Sequence, residues 1–274
     1  AFHGVFGERL KLRQIEEFER EDMRTLKIWC FFDQNAFQDY QKAIGMRLPP
    51  GAPAYYRRDD QWITLFEIPG AATQHGEASL KLNVVLHEAT HQLIHLYRKA
   101  LIEKETGEEV LWLSKEAGGG THWFREGIAE FFSGAKDLGN GEWEFLIPVR
   151  HRLAEWYRTR KGKRSEWSLE ELLSMRTGPE LQARSARKGL GDQRRLSSLF
   201  YAQAWSWVHF LYFYKDGKYR EKFLKFVDLE LTGKASPEAF TQVWTGGTKD
   251  YDWEPVRKEW LGYVQGLWNK LGLR

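Results

Sequence analysis

The stretch Val84-Val85-Leu86-His87-Glu88-Ala89-Thr90-His91-Gln92-Leu93-Ile94 constrains this chain more than any other. It carries the pattern H-E-x-x-H, which has a mechanical meaning. Residues four apart on an α-helix lie on one face, about one turn apart. Two imidazoles at that spacing reach a single zinc ion, each at roughly 2.0–2.1 Å. Glu88 directly follows the first of them, so it stands beside a metal-activated water without having to bind the metal. From there it can take that water's proton. The bland alternative is a surface helix with incidental histidines. The apolar flanks Val84, Val85, Leu86, Leu93 and Ile94 argue for a buried helix instead, and buried histidines need partners.

A zinc held by two histidines is under-coordinated, so a third protein ligand is expected. His95 continues the i, i+4 stripe, but eight residues of helix is a rise of ~12 Å from His87. That is too far to share the ion, and His95 reads as a core or rim histidine. The longer pattern H-E-x-x-H-x-x-G-x-x-H also fails, because Ile94 and Tyr97 stand where its Gly and third His would be.

Composition bounds the rest. The chain has 274 residues, 42% hydrophobic and 15% aromatic with 13 tryptophans, ample for a core in one large domain or two lobes. A formal net charge of +3 gives no nucleic-acid signature. The single cysteine, Cys30, excludes an internal disulfide and a cysteine-rich zinc cluster. Its apolar setting, Ile28-Trp29-Cys30-Phe31-Phe32, predicts a buried, inert thiol. No apolar run approaches the ~18–20 residues of a membrane span. The chain begins at Ala1, which leaves room for a removed signal peptide and an extracytoplasmic location; the compartment stays open.

Along the chain, residues 9–24 predict a charged surface helix and Leu26–Phe32 a buried strand. Asp33 is placed to cap a short helix through Tyr40 and Ile44. Ala54–Tyr56 and Gln61–Ile68, around a polar turn, predict a hairpin. After the His87 helix the reading is almost wholly helical: Trp123–Ser133, Pro148–Arg160, Leu199–Tyr214, Lys218–Leu231, a helix opened by Ser236-Pro237, and Glu254–Trp268. Residues 158–195 read as basic and irregular apart from one short helix, opened by a Ser168/Glu171 capping box. Gly118-Gly119-Gly120 reads as a mobile loop near the site.

The segment Trp123-Phe124-Arg125-Glu126-Gly127-Ile128-Ala129-Glu130 taken alone reads as an amphipathic helix with two solvated carboxylates. Together with His87, Glu88 and His91 it resembles the gluzincin metallopeptidases. These are the broad peptidase-MA-like group with thermolysin and aminopeptidase N relatives. The resemblance implies that Glu126 is the third zinc ligand. It implies that Gly127-Ile128-Ala129 let this helix pack closely on the first. Glu130 takes the position that holds the free ring nitrogen of a ligand histidine, with Glu in place of the usual Asp. Less closely, Phe200–Leu211 resembles a later helix of the group, making Tyr201 the oxyanion donor, with Gln203 where the group has Lys. His122 could touch substrate, or cap or pack. Trp62–Phe66 is implied as an edge strand able to pair with extended peptide. The aminopeptidase G-x-M-E-N segment is absent, which favours an endopeptidase.

The expected fold class is α+β, a zincin-like two-lobe fold forming one catalytic unit over 1–274. Residues 1–95 would form an α/β lobe with a small mixed sheet, ending in the H-E-x-x-H helix. Residues 96–274 would form a larger, all-helical lobe. The expected function is zinc-dependent hydrolysis of peptide or protein substrates with one Zn2+. The alternative is a non-catalytic or specialised binding module on the same scaffold. Arg158, Arg160, Lys161, Lys163, Arg164, Arg184, Arg187, Lys188, Arg194 and Arg195 offer polyanion binding or, more blandly, a solvated loop region. Trp167 is the lone aromatic among them, so nucleic acid is not the expected partner.

Overall fold

The structure, a computed structural model, describes residues 27–46, 53–57, 61–66, 80–108, 120–139, 142–145, 153, 156, 167–188, 193–248 and 251–272. The predicted helix over 9–24 and most of that over 148–160 lie outside them; Leu153 and Trp156 of the latter are buried. The fold is mixed α and β, dominated by helices. The chain divides into two compact units, Phe2–Ser114 and Lys115–Arg274.

In the first unit, β1 (Lys27–Phe31), β2 (Ala54–Arg57) and β3 (Trp62–Phe66) form a mixed sheet in the order β1-β3-β2. β2 and β3 are the predicted hairpin, with Tyr56 opposite Ile63, and β1 runs parallel to β3 with Ile28 opposite Ile63. β3 is therefore the central strand. The expected free edge at Trp62–Phe66 is corrected: both sides of its ladder are spent on β1 and β2. The second correction concerns β1. An unbroken apolar run suggests a strand covered on both faces, yet Ile28, Trp29 and Cys30 are exposed because β1 is the outer strand of a three-stranded sheet. Trp29 instead packs sideways on Phe31, Tyr40 and Trp62.

Helix α1 (Gln34–Ala43) begins as its sequence predicts, with the Asp33 carboxylate accepting from Ala36 N at 2.9 Å. Its Phe37 is buried against Tyr55 and Phe66. Helix α2 (Leu80–Thr106) carries the H-E-x-x-H pattern. Val84, Val85 and Ala89 pack on Ala54, Ile63 and Leu65 of the sheet. Gln92 Nε2 donates to Gln61 O at 2.9 Å, and the Tyr56 hydroxyl lies 2.7 Å from His95 Nδ1. Sheet contacts thus fix the rotation of α2. At ~100° per residue, His87 and His91 fall roughly half a turn around the helix from Ala89.

The second unit holds α3 (His122–Ser133), α4 (Leu169–Ser174), α5 (Gly178–Arg187), α6 (Gln193–Phe213), α7 (Arg220–Leu231), α8 (Pro237–Thr245) and α9 (Glu254–Lys270). It is not all-helical. β4 (Lys136–Gly139) and β5 (Glu142–Glu144) pair as a short antiparallel hairpin. Gly139, at the end of β4, has φ +87°, and the sequence that follows it, Asn140-Gly141, is of a type favoured in hairpin turns. The stretch 158–195 is also more regular than expected, since Thr177 caps α5 through Glu180 N. The Ser168/Glu171 capping box is present, as is the Ser236 cap of α8. Of the basic residues there, Arg184 pairs with Glu180, and Lys188 pairs with Glu171 at 2.8 Å while lying over the Trp167 ring.

Helix α6 is the axis of this unit. Trp205, Trp207, Val208, Phe210 and Leu211 are fully buried along it, and among the described elements its packing on α3 is the most extensive. Gln203 accepts from Trp167 N and donates to Trp167 O, at 3.0 and 2.9 Å, which ties the entry to α4 onto α6. Trp260 of α9 donates to Ser206 Oγ at 3.2 Å.

Candidate metal centre

On α2 the Nε2 atoms of His87 and His91 are 3.2 Å apart, with ring planes at 82°. Two donors bound at roughly 2.0–2.1 Å to one tetrahedral ion lie about 3.3–3.4 Å from each other. The pair is therefore spaced as two vertices of such a site, and both side chains are half-buried. Between them, Thr90 turns its hydroxyl back to Leu86 O at 2.7 Å. Glu88, also half-buried, has no hydrogen-bond or ion-pair partner among the described residues. A carboxylate left uncommitted there is available for proton transfer.

Glu126 lies in the second turn of α3, and its side chain is 14% exposed. The helix around it is held on several sides. Trp123 stacks on Phe226 at 5.5 Å and meets Phe240 edge-on. Gly127 faces Ala204 of α6 so closely that a Cβ would sit 2.6 Å from the Ala204 carbonyl oxygen. The small residue thus serves the approach of α3 to α6, a helix of its own unit. Ile128 and Ala129 are fully buried, and Glu130, one turn beyond Glu126, is buried too.

His122, read from the sequence as a residue that could meet substrate, is buried inside the helical unit. Its main-chain N–H donates to Met175 O at 2.9 Å, and its ring stacks on Phe200 at 5.1 Å. Its Nδ1 lies 3.6 Å from Glu126 Oε1. Tyr201 is half-buried on α6, with its ring 6.4 Å from that of His122. His209, two turns further on, is a core residue whose Nδ1 meets the Tyr263 hydroxyl at 2.7 Å. Burial pushes its imidazole down to about 3. Sequence reasoning missed Glu230, a buried carboxylate of α7 that accepts from both Thr121 N and Thr121 Oγ1 at 2.8 Å. Its signal is there to be found: one acidic residue on the otherwise apolar face Phe223, Phe226, Val227, Leu231.

Among the described residues, His87, His91 and Glu126 form a group that could hold a metal ion. Two imidazole nitrogens and one carboxylate oxygen are a donor set suited to zinc with one coordination position left open. None of these described helices is long and apolar enough to cross a membrane. No family model matches the chain, and no curated protein matches it.

Proposed function

We propose that this chain is a gluzincin-type zinc metallopeptidase on a zincin-like scaffold, with His87, His91 and Glu126 as ligands of one ion. The observation that carries the reading is that one ligand atom from each of the three lies within 4.8 Å of the others. When bound, zinc supplies Lewis acidity that polarises a carbonyl and lowers the pKa of water at the site. Glu88 accepts the proton of the attacking water as its oxygen bonds to the scissile carbonyl carbon. It then returns that proton to the leaving amine nitrogen as the C–N bond breaks. Tyr201 donates its hydroxyl hydrogen to the oxygen that becomes negative. Glu130 supports a ligand histidine. With no segment for gripping a free α-amine, internal peptide bonds are the substrate class.

The test pairs elemental analysis with digestion of a mixed peptide library. Wild-type protein should carry about one zinc per chain and cleave peptides; Glu88→Gln should keep the zinc and lose cleavage. Wild-type protein that holds zinc and cleaves nothing would overturn the peptidase reading in favour of a zinc-holding binding module.

A further inference from the structure

We infer that Glu230 is a positioning residue for the Glu126 carboxylate: from α7 it clamps the first turn of α3 and so fixes where that helix presents its ligand. The inference rests on the reading of Glu126 as a metal ligand. Glu230 is only 2% exposed. Burying a carboxylate is costly unless it is well partnered, and a leucine would serve the apolar face of α7 better. Its partners explain its presence. Thr121 is the N-cap residue of α3 and forms no side-chain cap bond within its own helix. Instead, both its N–H and its hydroxyl donate to Glu230 Oε1. A negative charge at a helix N-terminus also meets the positive end of the helix dipole.

The neighbouring residue is shaped to this contact. Gly120, the last of the three consecutive glycines, has φ +124°, and a Cβ there would lie 2.5 Å from Glu230 Oε2. The expectation of mobility is thus corrected at Gly120, which is fitted against a buried carboxylate. The next amide, His122 N, is fixed by Met175 O. From Thr121 to Glu126 the helix rises only ~7.5 Å, with no flexible link between clamp and ligand. Downstream, the Gly127–Ala204 contact opposes rotation of the same helix.

The experiment is a double-mutant cycle on zinc affinity, read by competition with a chromophoric chelator, alongside thermal unfolding of the metal-free protein. Glu230→Ala should weaken zinc binding about tenfold or more, the range seen when an outer support of a ligand is lost. Glu230→Gln, which keeps an oxygen for Thr121, should recover most of it. On a Glu126→Ala background, Glu230→Ala should add no further loss, because its effect runs through Glu126. If Glu230→Ala fails to fold, Thr121→Val, which removes only the hydroxyl donor, takes its place in the cycle. Unchanged affinity in these variants, or an equal further loss without Glu126, would overturn the inference alone. Wild-type protein that binds no zinc would overturn the metal reading, and this inference with it.

Discussion

Gly127 and Ala204 meet backbone to backbone: a methyl group on Gly127 would lie 2.6 Å from the Ala204 carbonyl oxygen and 2.9 Å from Val208 Cγ2. Neither the carbonyl nor the fully buried Val208 has room to give. Gly127→Ala should therefore push α3 and α6 apart and cost about 1–3 kcal/mol, even though alanine is the better helix former. Urea unfolding measures this directly. A variant as stable as wild type would mean that the two helices have room for a methyl group between them.

His209 makes stability depend on pH. Its imidazole is held at about 3 chiefly by burial, with Lys270 adding repulsion; in the unfolded chain it titrates near 6.5. Between those values the unfolded chain binds a proton that the folded chain refuses. The contribution to stability is therefore complete above about pH 6.5. It is lost as pH falls toward about 3, by up to ~1.4 kcal/mol per pH unit. His209→Gln should flatten the dependence of unfolding free energy on pH between about pH 6 and pH 4. An unchanged slope would assign the acid sensitivity to other groups.

Cys30 is exposed on the outer strand β1. As the single cysteine of the chain, it should titrate as one thiol with a maleimide or a disulfide reagent under native conditions. Denaturant should then raise the rate only modestly. Slow labelling that accelerates steeply on unfolding would restore the buried thiol predicted from its apolar neighbours.

These outcomes separate what could be read locally from what could not. Caps were legible: Asp33, Ser168 with Glu171, and Ser236 each begin a helix where their side chains predict it, because a cap is satisfied within three residues of itself. The hairpin of β2 and β3 was legible for the same reason. The central position of β3 was not, since it depends on β1 arriving from across a helix. Apolar runs misled at Ile28-Trp29-Cys30, where hydrophobicity says that a strand is wanted inside but not whether a neighbour covers it. The hairpin of β4 and β5 is signalled in the sequence only by the residue types Gly139-Asn140-Gly141, because its strands are too short to show an alternation.

For the candidate site, the sequence by itself determined the half held within one turn of helix. His87 and His91 must face the same side whenever that segment is helical, and their nitrogens lie 3.2 Å apart. Only the tertiary structure decided how the helix of Glu126 is held. That depends on a glycine meeting a carbonyl 77 residues away and on a buried carboxylate 109 residues from the amide it accepts. Helical spacing follows from backbone geometry, which any short segment carries with it. Close packing and buried polar pairing arise only when distant parts of the chain exclude water together, so no single segment records them.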